Sequence, residues 1–293
     1  MVLVPAFDPP YIGESPEDSV KRIESLADIR RAPNGHGHMI WHVWGKGTPL
    51  VLLHGGYGSW LHWIRNIPYL ATRFTVYAAT MPGFGESSDL GDPQTIQHLA
   101  SIVSEGIDHV IPKDTPYHMA GFSFGGIVGG NVAALQGERQ LSHTFSGSSG
   151  MGLTRNRLEE FHSWRAAETP EARMAAHRKN LEILMIADPK KVDDLALYIQ
   201  NWNTPKGRVR SHKMGQADNL SEALSKAKCR LMGLYGSCDA YGKGHLHERV
   251  EFLGRFRDDV IFRQIEGAGH WACFEAAETF NEMYWAMLDE IGA

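Results

Sequence analysis

Ser123 stands between two glycines in the stretch Gly121-Phe122-Ser123-Phe124-Gly125-Gly126, directly after the apolar run 117–120. A serine hydroxyl is a poor nucleophile at neutral pH. It needs a base to take its proton, and the base needs a carboxylate to orient it. Downstream, the apolar run 229–236 is followed by Ser237-Cys238-Asp239, and the run 260–267 by Ala268-Gly269-His270-Trp271. Ser123, Asp239 and His270 are therefore the candidate nucleophile, orienting acid and general base of an acyl transfer. Gly-x-Ser-x-Gly alone reads equally well as a turn in a chain with 31 glycines. Its context decides: a strand runs into it and the helix-like GIVGGNVAALQG comes after, the strand-turn-helix that holds a strained serine at a sheet's carboxyl end. The Phe124 amide, beside the helix N-terminus, then points to where an oxyanion forms.

Those residues need elements to position them. Short apolar runs at 49–53, 74–79, 117–120 and 141–145 alternate with helical patterns, which predicts an α/β fold with a mostly parallel sheet and helices on both faces. Between the second and third runs, Ile96, Leu99, Ile102, Val103, Ile107 and Val110 recur at helical spacing after an Asp92-Pro93 start signal. Residues 27–47 read as an antiparallel hairpin at the sheet edge, turning at Pro33-Asn34-Gly35. From 153 to 225 glycine becomes rare, charge rises and only helical segments are evident. The expected division is a core of 1–152 and 226–293, interrupted by a helical insertion of 153–225, with an amphipathic helix closing the chain.

Composition limits the partners. The 293 residues are 43% hydrophobic and 22% charged, enough to bury a large core, and the net charge is −5. No basic footprint suggests nucleic acid or an anionic membrane surface, so a small molecule is the expected partner. The first ten residues, MVLVPAFDPP, lack the charge and apolar core of a signal peptide, and no window approaches a membrane span. Three cysteines without metal-ligand spacing, Cys229, Cys238 and Cys273, fit reduced thiols. A cytoplasmic location is expected; oligomeric state is left open.

The chain resembles the α/β-hydrolase superfamily along nearly all its length. The order Ser123, Asp239, His270 matches the superfamily's triad. LVLLHGGYGSW (50–60) is similar to its oxyanion loop, and MPGFGESSD (81–89) to the turn after its next strand. The resemblance implies a second oxyanion amide from Gly56, with Tyr57 as the alternative, and makes 153–225 a cap over the site. It implies neither a metal nor an organic cofactor. Serine at the elbow, where the superfamily's dehalogenases and epoxide hydrolases carry aspartate, leaves proton-coupled acyl transfer.

The default reaction is hydrolysis of a carboxylic ester with a small or medium acyl group. A rival is hydrolysis of a C–C bond in a vinylogous diketone, because GHWACFEAAETFN is similar to the tail of the meta-cleavage-product hydrolases. Those enzymes usually carry Asn where this chain has Phe122, and Gly-Pro-Gly where it has Tyr57-Gly58-Ser59. They also want a cation for the substrate carboxylate, for which the insertion offers Arg165, Arg173, Arg178, Arg208 and Arg210. A third reading, a ligand sensor with little turnover, sits poorly with a strained elbow and a complete set of triad residues. Other groups have blander readings. His36, His38 and His42 are expected to form a solvated hairpin rather than a metal site. His54 is expected to hold its loop, and Trp41, Trp44, Trp60 and Trp63 to fill core.

Overall fold

The computed structural model describes residues 14–35, 37–215 and 217–293. The N-terminal stretch read for a leader and His36 lie outside the described residues. Eight strands form one sheet: β1 (Asp28–Pro33), β2 (His38–Trp44), β3 (Pro49–Leu53), β4 (Thr75–Thr80), β5 (Tyr117–Phe122), β6 (Gln140–Ser146), β7 (Arg230–Gly236) and β8 (Ile261–Ile265). Their spatial order is β1-β2-β4-β3-β5-β6-β7-β8. The expected hairpin is the edge, β1 antiparallel to β2 and β2 antiparallel to β4, and all other pairs are parallel. The protein therefore has the α/β architecture that the alternating runs predicted.

Strand β3 shows why those runs are continuous rather than alternating. Val51 and Leu53 join one apolar core and Leu50 and Leu52 the other, on opposite faces of the sheet. Helices Ile96–Val110 and Phe124–Gln136 cover the first face; Pro16–Ser25 and Ala277–Glu290 cover the second. The four tryptophans of the front region are core, between 0% and 3% exposed.

Local chemistry moved several boundaries. The first of these helices begins after Thr95, whose side chain accepts the His98 N–H, rather than at Asp92-Pro93. The C-terminal helix is two pieces, Ala272–Glu275 and Ala277–Glu290, interrupted at Ala276. His42 departs from the solvated hairpin: it is 1% exposed, its Nε2 lies 3.1 Å from Glu24, and its ring packs on Trp44 and Trp60. The helix Pro16–Ser25, which supplies Glu24, covers it. Among the described residues no His/Cys/Asp/Glu group could hold a metal ion.

Between β6 and β7 the main helices are Pro170–Asn180 and Asp194–Asn203, joined in part by a π-helical turn at Leu181–Met185. Thr169 and Asp193 cap the two helices through their side-chain oxygens. No strand occurs between 153 and 225 among the described residues. The last helix of this stretch, Ser221–Lys226, packs on Phe124–Gln136 and so belongs spatially with the sheet. No helix among the described residues is long and apolar enough to cross a membrane.

Candidate active site

Parallel strands deliver their loops to one edge, and four such loops meet here, after β3, β5, β7 and β8. The chain order reverses beside β3, where open α/β sheets place ligands. Strand β5 ends at Phe122, and Ser123 turns the chain into the next helix with φ 49° and ψ −112°, a left-handed strain that the flanking structure must hold. Its N–H donates to Ser146 O at 2.7 Å, tying the turn to β6. The flanking glycines are steric necessities. A Cβ on Gly121 would lie 2.4 Å from Gly125 O, and one on Gly125 2.4 Å from Leu53 O, backbone that cannot swing away.

The structure brings Ser123, Asp239 and His270 together. His270 Nε2 lies 3.0 Å from Ser123 Oγ, and its Nδ1 lies 3.0 Å from each Asp239 carboxylate oxygen. A carboxylate only accepts, so Nδ1 carries the proton and Nε2 is left bare toward the hydroxyl. Asp239 and His270 are each 2% exposed. Burial alone would raise the Asp239 carboxyl, but the adjoining His270 imidazole, the Tyr241 N–H at 2.9 Å and the nearby Arg249 outweigh it and hold it below the ordinary aspartate value.

The loop after β3 lies against the serine turn. A Cβ on Gly55 would be 3.3 Å from Ser123 Cβ, and one on Gly56 3.9 Å from Phe124 Cβ. Two buried histidines fix this loop. His54 Nε2 accepts the Met81 N–H at 2.9 Å, which leaves Nδ1 to donate to Gly55 O at 2.7 Å. Burial pushes His54 down to about 4, against a smaller opposing pull from the Gly55 carbonyl, so it is a neutral strut. His62, which sequence reasoning passed over, accepts the Gly55 N–H on Nδ1 at 3.1 Å, and burial holds it neutral too. The spacing His54-x7-His62 offered only a faint signal, since the pair meets through the turn at Trp60–Trp63.

A cavity of about 510 Å³ opens over Ser123 and His270, floored by Phe122 and roofed by residues of 153–225 such as Trp164, Leu184 and Ser211. Gly56, Tyr57 and Phe124 also line it. Among the five arginines of the insertion singled out from sequence, Arg165 reaches this cavity, stacked 4.2 Å from the Trp164 ring. Arg178 instead donates to Val192 O and Arg208 pairs with Asp89. Arg155, outside that group, lines the cavity.

One further residue ties this roof to the loop that carries His270. Glu275, 5% exposed, accepts the N–H groups of Ala187 (3.0 Å), Asp188 (2.8 Å) and Gly269 (2.6 Å), while the Trp271 N–H donates to Met185 O at 2.7 Å. Both neighbours of His270 are thereby bonded into one network with 185–188.

Comparison with known proteins matches this architecture. The model of the alpha/beta hydrolase family matches residues 50–283. The acetyltransferase component of the acetoin cleaving system of Pseudomonas putida is 40% identical over 107 residues, 36% of this chain and 28% of that protein. A pimeloyl-[acyl-carrier protein] methyl ester esterase of Aeromonas hydrophila is 33% identical over 95 residues, 32% of this chain and 35% of the esterase. The matches thus span about a third or less of these relatives' length. The solved meta-cleavage product hydrolase of Pseudomonas fluorescens superposes with a TM-score of 0.70 at 19% identity, covering 89% of this chain and 97% of that one, a likeness of fold. With a family model spanning most of the chain and this sheet beneath it, the protein belongs to the alpha/beta hydrolase family.

Proposed function

We propose that the protein is a serine hydrolase that cleaves a carboxylic ester of a small or medium acyl group through an acyl-enzyme on Ser123. One observation carries the reading: a buried Asp239–His270 pair presents a bare Nε2 at 3.0 Å from the Ser123 hydroxyl, at the base of a cavity of about 510 Å³. His270 takes the Ser123 proton as Oγ attacks the carbonyl carbon. Asp239 steadies the imidazolium that results, and the proton passes to the departing alcohol. The N–H groups of Phe124 and Gly56 stabilise the oxyanion, each worth about 3 kcal/mol by analogy with other oxyanion donors. Water, activated by the same histidine, then releases the acid. Residues 153–225 act as the cap that shapes the cavity, and a small molecule is the partner.

A second reading, hydrolysis of a C–C bond in a ring-cleavage dienone, is favoured by the GHWACFEAAETFN tail and by arginines on the cavity wall. A time course on p-nitrophenyl esters of graded acyl length beside such a dienone separates the two. The ester reading predicts nitrophenolate release that declines with acyl length, with little bleaching of the dienone. Fast bleaching with feeble ester turnover would overturn it.

A further inference from the structure

Beside the main cavity lies a second one of about 140 Å³, and Ser149 and Arg155 line both. Its wall is the turn 148–153 together with Arg155 and Arg249. Arg249 is 3% exposed and donates to His245 O at 3.0 Å. Arg155 stacks its guanidinium 4.0 Å from the Tyr241 ring, and that ring stands edge-on to His270 at 5.4 Å. Among the described residues neither guanidinium has a carboxylate at ion-pair distance.

Two neighbouring cations, one of them almost wholly buried, are costly without an anion. The surrounding structure nevertheless holds them in place. The flanks of Arg155 are strapped to the segment that carries Asp239: the Thr154 N–H donates to Glu248, the Asn156 N–H to Tyr241 O and the Asn156 amide to Lys243 O, all between 2.9 and 3.0 Å. Ser148, Ser149 and the turn 150–153 complete a small recess that shares Ser149 and Arg155 with the cavity over Ser123. Asp239 and Glu248 account for part of the field of Arg249, but Asp239 is already bonded to His270 and Tyr241 and Glu248 to the Thr154 N–H, and neither pairs with this guanidinium. Arginine forks suit a planar carboxylate, and 140 Å³ admits one.

We infer that Arg155 and Arg249 form a carboxylate-binding subsite, so that the preferred substrates are anionic, carrying a free carboxylate on the acyl chain or on the leaving alcohol. This deepens the ester reading and rests on it for turnover, although binding at the recess does not. Two matched pairs locate the charge. The p-nitrophenyl half-ester of glutaric acid is compared with p-nitrophenyl pentanoate, and 4-acetoxybenzoate with phenyl acetate, in wild type, Arg155→Met and Arg155→Lys. The expected result is a kcat/KM preference of about tenfold or more for the anionic member of one pair. Arg155→Met should erase it mainly through KM, and Arg155→Lys should retain part of it. Neutral members preferred in both pairs, or a preference unchanged in Arg155→Met, would overturn the subsite. Calorimetric titration of glutarate into wild type and Arg155→Met separates this inference from the hydrolytic reading. Binding that weakens about tenfold or more in the variant supports the subsite even without ester cleavage. Equal affinity for the two proteins, or none for wild type, counts against it even if esters are cleaved. Arg249→Lys serves as a second variant, its melting temperature reporting whether the buried position still folds.

Discussion

Glu275→Gln is the most informative single-atom change in the network around His270, the proposed base. In the native chain Oε2 accepts two N–H groups, from Ala187 and Gly269, and Oε1 accepts one, from Asp188. A glutamine amide offers one oxygen and one NH2. With the oxygen placed to keep Ala187 and Gly269, the NH2 faces the Asp188 N–H, donor against donor; the flipped amide loses two bonds instead of one. The better arrangement forfeits one charge-assisted bond, worth about 1.5–3 kcal/mol, and weakens two others to neutral strength. The sum is about 3 kcal/mol, or roughly 5 °C in melting temperature for a chain of this size. Because Gly269 adjoins His270, misplacement of the imidazole should also lower kcat by about tenfold or more. Differential scanning calorimetry and ester kinetics on the variant read both effects. A melting temperature within about 1 °C of wild type, with kcat unchanged, would refute a role for this carboxylate in positioning the base.

The buried groups give two other expected outcomes. Burial pushes His54, His118 and His143 each down to about 4 from an ordinary 6.5, so between those values the unfolded chain binds protons that the fold excludes. Stability should therefore be complete above pH 6.5 and fall as pH drops toward 4, by up to about 1.4 kcal/mol per pH unit for each histidine; urea midpoints that stay flat over this range would count against it. Asp239→Asn should preserve the fold but leave the wrong imidazole tautomer facing Ser123, lowering kcat by about 10³–10⁴. A loss below about tenfold would mean that Asp239 does not orient the base.

The elements and the three central residues were legible because each residue sits where a short apolar run stops. In a parallel sheet the carboxyl ends of those runs share an edge, so the loops that leave Phe122, Gly236 and Ile265 converge on one place. The glycines at 121 and 125 were legible for a related reason: a turn this tight excludes Cβ by contact with nearby backbone. The features that escaped depend on packing between distant segments. Nothing in the periodicity near 275 announces that its carboxylate will reach the backbone of 187–188. His42 looked solvated because its cover comes from Glu24 on another element. Arg155 and Arg249 share one recess across 94 positions of sequence, as far apart as Thr154 and the Glu248 that strap it.

Covalent capture tests most directly whether Ser123 is the nucleophile. The protein is incubated with a small p-nitrophenyl alkylphosphonate, activity is followed, and the adduct is located by peptide mass mapping in wild type, Ser123→Ala and His270→Ala. The expected result is one phosphonyl group per chain, on Ser123, with activity lost in step with labelling and labelling abolished in both variants. Full labelling elsewhere, at Cys238 or a surface tyrosine, or a Ser123→Ala variant that still hydrolyses esters at the wild-type rate, would contradict a nucleophilic Ser123.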